Sequence, residues 1–584
     1  MTKISLVMSG AVSLGSYHAG VLTELLYALD YHRRNGRAYE LDVITGASAG
    51  SITGALVAYA VMNNFGARTG LHKAWVELAS IDRLLQKPPT NALLDPGAVR
   101  DIAKECLPEP LVPASPAPFA PEKLWLGFTL SNLNGLNRSI SAPGNPGGTH
   151  FDSTFFDDIR TYRLVRGRAS DPPERARRLW SSEDRATWDD VAEFGIASGA
   201  FPLAFPPVRL SRLLWELPLL AAPVPDPLEY TYVDGGTFNN QPIGEAVRLS
   251  READDGELHP DRKYLFVNAA ARNDDLNAAI NPKSSMWEIA KRLLSCIFAQ
   301  SRTSDWIRAL LVDTQVRWRD GFFAQLVSVV RTTTVPDPAP LLRGLTQLAQ
   351  QIEEVEAGQP DARSPRPSAD EMRAVEEKHA ERLATLDPAP TPEQRSALLR
   401  LFFQLDATER KYAAALRSDP PLPQTKREVL VLLFYLLDHV ADLDERKQLA
   451  IWITSPPEGG LAGTQLEWFG GFFEQRWREY NFRKGRVLAR PTLESMLGAY
   501  PEQDGGAPYA ITPDLKNSPN ERLRDTKPAP RVRFRDALVE RVKTLAEVFE
   551  PHGFRGWLLR HTTGGVGAIA AEYARHLLDD QLEL

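Results

Sequence analysis

Ser48 lies at the centre of Gly46-Ala47-Ser48-Ala49-Gly50, a spacing that suits nucleophilic attack on a carbonyl carbon. A G-x-S-x-G segment between an apolar strand and an apolar helix turns the chain sharply and projects the central hydroxyl from the tip. Gly46 and Gly50 stand where the two arms approach so closely that a Cβ would collide, while Ala47 and Ala49 keep the approach open. The helix start behind Ser48 offers N–H groups and the positive end of a dipole to a developing oxyanion. The same five residues also make an ordinary small-residue turn without chemistry, so the serine has to be judged by its partners.

A serine hydroxyl is a weak nucleophile at neutral pH and requires a positioned base. Asp234, in Asp234-Gly235-Gly236, follows the aromatic and β-branched run Glu229-Tyr230-Thr231-Tyr232-Val233, so its carboxylate emerges at the end of a strand. Open α/β sheets place their active sites at such ends. Gly235 and Gly236 admit a close neighbour, and their N–H groups can hold the carboxylate. Taken alone, an aspartate in this setting more often stabilises its own turn. His259, in Leu258-His259-Pro260, is the alternative base, completing a Ser–acid–His order. That arrangement calls for several strands before the nucleophile, and here one strand–helix unit precedes it.

The elements that must carry these groups are legible in the apolar pattern. Ile4-Ser5-Leu6-Val7-Met8, ending at Gly10, and Leu41-Asp42-Val43-Ile44-Thr45, ending at Gly46, read as strands. Val21, Leu22, Leu25, Leu26 and Leu29 recur at helical spacing, and Ile52 to Ala60 reads as a buried helix. Two successive strand–helix units imply a right-handed crossover and a parallel sheet. Lys123–Leu130, Tyr230–Val233 and Tyr264–Asn268 are further strands. Residues 284–450 are rich in helix formers, with Met286–Phe298 and Glu428–Val440 patterned as helices and loops at 359–370 and 387–393. The expected organisation is an α/β catalytic region over 1–280, a helical extension over 281–500, a Gly/Pro/Asp-rich linker over 501–531 and a helical segment over 532–584.

Composition narrows the partners. The chain has 584 residues, 43% hydrophobic and 24% charged, the profile of a soluble globular protein of several domains. A net charge of −7 gives no reason to expect nucleic acid. Cys106 and Cys296 are far apart and lack ligand spacing, so neither a disulfide framework nor a metal site is expected, and a reducing compartment fits. The apolar N-terminus is broken early by Ser9, Gly10 and Ser13 and reads as a strand rather than a secretory signal. Ile52 to Met62, among the longest apolar runs, is too short for the roughly 20 residues that span a bilayer, so any meeting with membrane is from the surface.

Taken in order, four segments resemble the patatin-like phospholipase family: Leu6-Val7-Met8-Ser9-Gly10 with Tyr17-His18-Ala19-Gly20-Val21-Leu22, the Ser48 pentapeptide, Ala197 to Pro207, and Asp234-Gly235-Gly236. The resemblance covers about residues 3–275. It implies a three-layer α/β/α fold with a mainly parallel sheet, joined here to a mostly α-helical C-terminal region. It further implies a Ser48–Asp234 dyad, a covalent acyl-enzyme, and a phospholipid or other acyl-ester lipid as substrate, with no metal or organic cofactor. A cytoplasmic protein with peripheral contact at the inner membrane face is expected.

One segment departs from the family. Its glycine-rich G-G-G-x-R-G loop is here Gly10-Ala11-Val12-Ser13-Leu14-Gly15. The resemblance assigns the oxyanion hole to N–H groups at Gly10, Ala11 and Val12. Backbone donors do not require glycine unless φ is positive, and Val12, being β-branched, resists positive φ. Losing one oxyanion donor costs roughly 10²–10³ in rate. A catalytically weakened scaffold or regulatory lipid-binding protein is therefore the second reading.

Three further features carry less. Arg160, Arg163, Arg166, Arg168, Arg175, Arg177 and Arg178 form a basic segment read as a solvated strand and loop rather than a headgroup site. Trp468 to Phe482 is unusually aromatic; packing onto the catalytic region is favoured over a lid or membrane interface. Asp152, Asp157 and Asp158 are too irregular for a calcium loop.

Overall fold

The computed structural model describes residues 1–108, 114–141, 150–166, 170–171, 187–202, 204–213, 228–254, 259, 261–269, 284, 286–332, 339–357, 368–384, 391–417, 421–440, 449–464, 466, 468–502 and 523–548, then Ala568, Ala571, Glu572, Ala574, Arg575, Asp579 and Leu582. Most of the expected 501–531 linker, and Arg168, Arg175, Arg177 and Arg178, lie outside the described residues. The described residues form two compact units: residues 1–255, 259–308 and 450–584 in one, 256–258 and 309–449 in the other.

Among the described residues nine strands build the sheet of the first unit: β1 (Thr2–Met8), β2 (Tyr39–Gly46), β3 (Lys123–Ser141), β4 (His150–Val165), β5 (Ser170–Asp171), β6 (Val208–Arg212), β7 (Leu228–Asp234), β8 (Lys263–Val267) and β9 (Ile451–Thr454). The order β9-β8-β1-β2-β3 is a parallel block. β1, β2 and β8 carry buried apolar runs, as strands covered on both faces must. β4 continues the sheet antiparallel to β3, and β7 also pairs antiparallel with β3.

Side-chain alternation along the strands sorts the covering helices into layers. Ile44 and Leu126, paired in register, face Gly54 on the helix Ala49–Met62. Their neighbours Thr45 and Gly127 face the opposite way, and Leu249 of the helix Ile243–Ala253 packs on Gly127. The expected three-layer α/β/α arrangement is present. We label the helices that matter below α1 (Gly15–Arg34), α2 (Ala49–Met62), α3 (Trp188–Ser198), α4 (Ile243–Ala253) and α5 (Gln475–Leu497).

The chain's organisation differs from the expected boundaries at one point. Residues 281–500 are not one extension, because β9 and α5 complete the first unit. A Cβ at Gly20 of α1 would lie 1.9 Å from the Phe482 carbonyl oxygen, and one at Gly485 of α5 would lie 2.3 Å from that of Tyr17. Only paired glycines permit so close a crossing. Phe482, Ala489 and Leu493 share one apolar core with Leu22, Leu25 and Leu29.

The second unit is helical, with Ala339–Ala357, Pro392–Lys411 and Gln424–Val440 around a core of Phe323, Leu401, Phe402, Leu430 and Phe434. Phe323 and Phe434 stack with ring centres 4.1 Å apart. Its buried Asp438 accepts hydrogen bonds from Lys411 and Tyr412, each at 2.6 Å. Among the described residues no helix is long and apolar enough to cross a membrane.

Candidate active site

β2 ends at Gly46, α2 begins at Ala49, and Ser48 between them has φ 53° and ψ −125°. A non-glycine residue in this region is held there by its surroundings. A Cβ at Gly46 would fall 2.5 Å from the Gly50 carbonyl carbon, and one at Gly50 would fall 2.8 Å from the Met8 oxygen. The turn is braced from α3: Ser198 Oγ accepts the Ser48 N–H at 3.0 Å and lies 2.7 Å from Ser51 Oγ. This gives the Ala197–Pro207 segment a local task, since Ser198 fixes the backbone that aims the Ser48 side chain.

Asp234 reaches Ser48 from β7. β7 runs against β3 and stops at the pair Leu130–Asp234, two residues beyond the pair Gly46–Phe128 where β2 ends. The carboxylate therefore meets the serine turn at the sheet's C-terminal edge. Ser48 Oγ donates to Asp234 Oδ2 at 2.5 Å, and the Gly236 N–H donates to Oδ1 at 2.8 Å. The main chain of Asp234 is tied on both sides, its N–H to Ala200 O at 2.9 Å and its carbonyl to Ser131 Oγ at 2.7 Å. Burial pushes the Asp234 carboxyl up to about 7, against the opposing hydrogen bonds from Ser48 and Gly236. A carboxylate poised near neutrality suits a general base.

The loop after β1 places the three expected oxyanion donors unequally. The Gly10 N–H is held by Asn240, at 3.0 Å from Oδ1 and 3.3 Å from the carbonyl oxygen. Gly10 is thus a docking point for the Asn240 side chain rather than a free donor. Among the described residues the N–H groups of Ala11 and Val12 meet no acceptor, nor does that of Ala49 at the start of α2. Val12 adopts φ 48°, the conformation that the missing glycine would take without strain.

Beside Ser48 opens a cavity with about 830 Å³ of empty space, counted to its open mouth. Val12, Ile52, Trp75, Ile102 and Phe201 are among its walls, and Ser48 is the one polar residue lining it among the described residues. Such a lining receives a hydrocarbon chain and rejects a charged group, which would lose its hydration without a partner.

Other expectations fall away from the site. His259 precedes β8, its N–H bonded to Asp254 Oδ2 at 2.8 Å, whereas Ser48 follows β2. β8 and β2 both run parallel to β1, so the two residues stand at opposite ends of the sheet and form no triad. Arg160 and Arg163 are buried rather than solvated, and Arg160 lies 3.2 Å from Asp190 and over the Tyr162 and Phe194 rings. Ser198 carries no individual signal in the sequence. Asn240 carries a faint signal, since an asparagine four residues beyond Gly236 in the same loop is suited to bonding backbone.

An elbow serine held by a buried aspartate beside an apolar cavity, on a three-layer α/β/α scaffold, defines a class. Residues 6–247 match the family described as patatin-like phospholipase, so the chain carries a patatin-like domain there. The chain is also similar to the uncharacterized protein y4iI of Sinorhizobium fredii, 24% identical over 378 residues. The match covers 51% of this chain and 54% of that protein, so the chain spans about half the length of this curated relative.

Proposed function

We propose that the first unit hydrolyses acyl esters of lipids by a Ser48–Asp234 dyad through a covalent acyl-enzyme. The observation that carries this reading is the 2.5 Å contact between Ser48 Oγ and Asp234 Oδ2 at the edge of an apolar cavity. In the proposed reaction, Asp234 takes the hydroxyl proton as Ser48 Oγ forms a bond to the ester carbonyl carbon. The oxyanion is received by the N–H groups of Ala11 and Val12, with Ala49 adjoining. Collapse expels the alcohol, which takes the proton from Asp234, and water then attacks the acyl-serine by the same route to release the acid. The acyl chain occupies the cavity, and the polar remainder of a phospholipid or similar ester stays at the mouth. Substrate embedded in a bilayer would be met from the surface, by peripheral contact.

A fluorophosphonate probe tests the nucleophile, because only an activated serine reacts with it. The expected result is a single adduct located on Ser48 by mass spectrometry, with fatty acid released from phospholipid or lysophospholipid. A second reading, the weakened scaffold or regulatory lipid binder, is favoured by one observation: Asn240 occupies the Gly10 donor. It predicts lipid binding with no adduct.

The protonation of Asp234 sets the pH dependence. The base works only when ionised, and burial raises its pKa to about 7. Below that value kcat/KM is expected to fall about tenfold for each pH unit, with a plateau above it. A profile of short-chain ester hydrolysis that stays flat down to pH 5 would remove Asp234 from the role.

A further inference from the structure

The family match ends at residue 247, yet the cavity beside Ser48 does not end with it. Phe469 and Phe472 also form its wall. Their rings lie 5.9 Å apart edge to face, and Phe469 meets Phe201, from the segment before β6, at 5.7 Å. The loop that carries them is held with unusual completeness. Asn481 of α5 accepts the Ala462 N–H at 2.8 Å and donates to the Ala462 carbonyl at 2.9 Å.

Arg478, only 2% exposed, binds three carbonyl oxygens at 3.0 Å: Gly471, Phe472 and, across the cavity wall, Val76 next to Trp75. Ser13, which follows the strained Val12, donates its hydroxyl to the Trp468 carbonyl. Leu466 and Trp468 sit at φ 53° and 69°. Two non-glycine residues in left-handed conformation within one short loop persist only where the surroundings impose them. A loop that merely covered a surface would need none of this.

We propose that Phe469 and Phe472 are acyl-selectivity residues, and that Arg478 is the positioning residue that holds them in the cavity wall. The inference rests on the acyl-hydrolase reading and specifies its substrate: an unbranched medium or long acyl chain threaded between these rings and the walls from residues 12–208. The cavity offers such a chain aromatic and aliphatic contact and offers a headgroup nothing.

The test compares nitrophenyl decanoate with nitrophenyl acetate. Losing two ring contacts with the longer chain, on the order of 50 Å² of apolar area, corresponds to about tenfold in binding. In Phe469→Ala/Phe472→Ala the ratio of kcat/KM for decanoate over acetate is expected to fall about tenfold. In Arg478→Met the KM for decanoate is expected to rise more than kcat falls. Equal losses on both esters in both variants would overturn the proposal, since a structural defect alone does that. Phe472→Leu, close in volume, keeps the test open if the double variant does not fold, with a smaller shift in the same direction expected.

Titrating a fluorescent medium-chain fatty acid into Ser48→Ala protein separates this inference from the catalytic one. Tight binding weakened by the two phenylalanine changes supports the wall even where no ester is cleaved. Binding indifferent to them refutes it even where Ser48 is labelled.

Discussion

Ser48→Ala is expected to bring hydrolysis of a short-chain nitrophenyl ester down to background, a loss of about 10⁴-fold or more. Asp234→Ala should cost about 10³-fold or more, because the hydroxyl then has no acceptor for its proton. The two groups act as one unit, joined at 2.5 Å. The double variant should therefore be no slower than Ser48→Ala, a non-additivity that separate structural defects would not give. Both proteins should keep their circular dichroism and melting behaviour, since neither side chain is part of the apolar core. Removing Asp234 also takes away a buried charge whose ionisation is costly, so that variant should melt no lower. Retained turnover in purified Ser48→Ala would end the mechanism outright.

Arg486→Leu is expected to destabilise the first unit by about 3–5 kcal/mol, the usual cost of leaving a buried charge without its partner. Glu24 on α1 and Arg486 on α5 are 0% and 1% exposed, and Arg486 binds Glu24 Oε2 through Nε at 2.9 Å and Nη2 at 2.8 Å. Arg490, 3.5 Å from the other carboxylate oxygen, compensates only in part. The paired change Glu24→Leu/Arg486→Leu should recover much of the loss, because it removes both charges at once. Urea unfolding followed by near-ultraviolet circular dichroism measures this. A change below about 1 kcal/mol would mean that α5 is not integral to the unit that carries Ser48.

The Ser48–Asp234 pairing is more legible in the sequence than the contacts that support it. Ser48 and Asp234 announce themselves because a nucleophile turn and a strand-end carboxylate need particular neighbours, and those neighbours are glycines at fixed offsets. The worry over Val12 was also readable, since a β-branched residue at a glycine position can be judged from its own stereochemistry. The loop that holds Val12 at φ 48° is joined at Ser13 to Trp468, a contact that no local pattern encodes. The same limit applies to Asn240, whose side chain finds Gly10 across 230 positions of chain. The extent of the first unit is not legible for another reason. Residues 281–500 look uniformly helical in composition, yet Ile451–Thr454 is a four-residue strand completing a sheet begun at Thr2, and helical periodicity says nothing about which core a helix joins. Trp468 to Phe482 was visible as an aromatic run, but packing, lid and interface use the same residue types, and only the fold distinguishes them.

The interruption of the first unit by residues 309–449 has a consequence for biogenesis. A ribosome delivers β8 and then the whole second unit before β9, Phe469 and α5 emerge. Through that interval the nascent chain presents an unpaired strand edge at β8, a bare glycine-lined groove on α1 and a greasy cavity lacking one side. Those are surfaces that holdase chaperones bind, and the cavity beside Ser48 gains its last wall only when translation has passed Phe472.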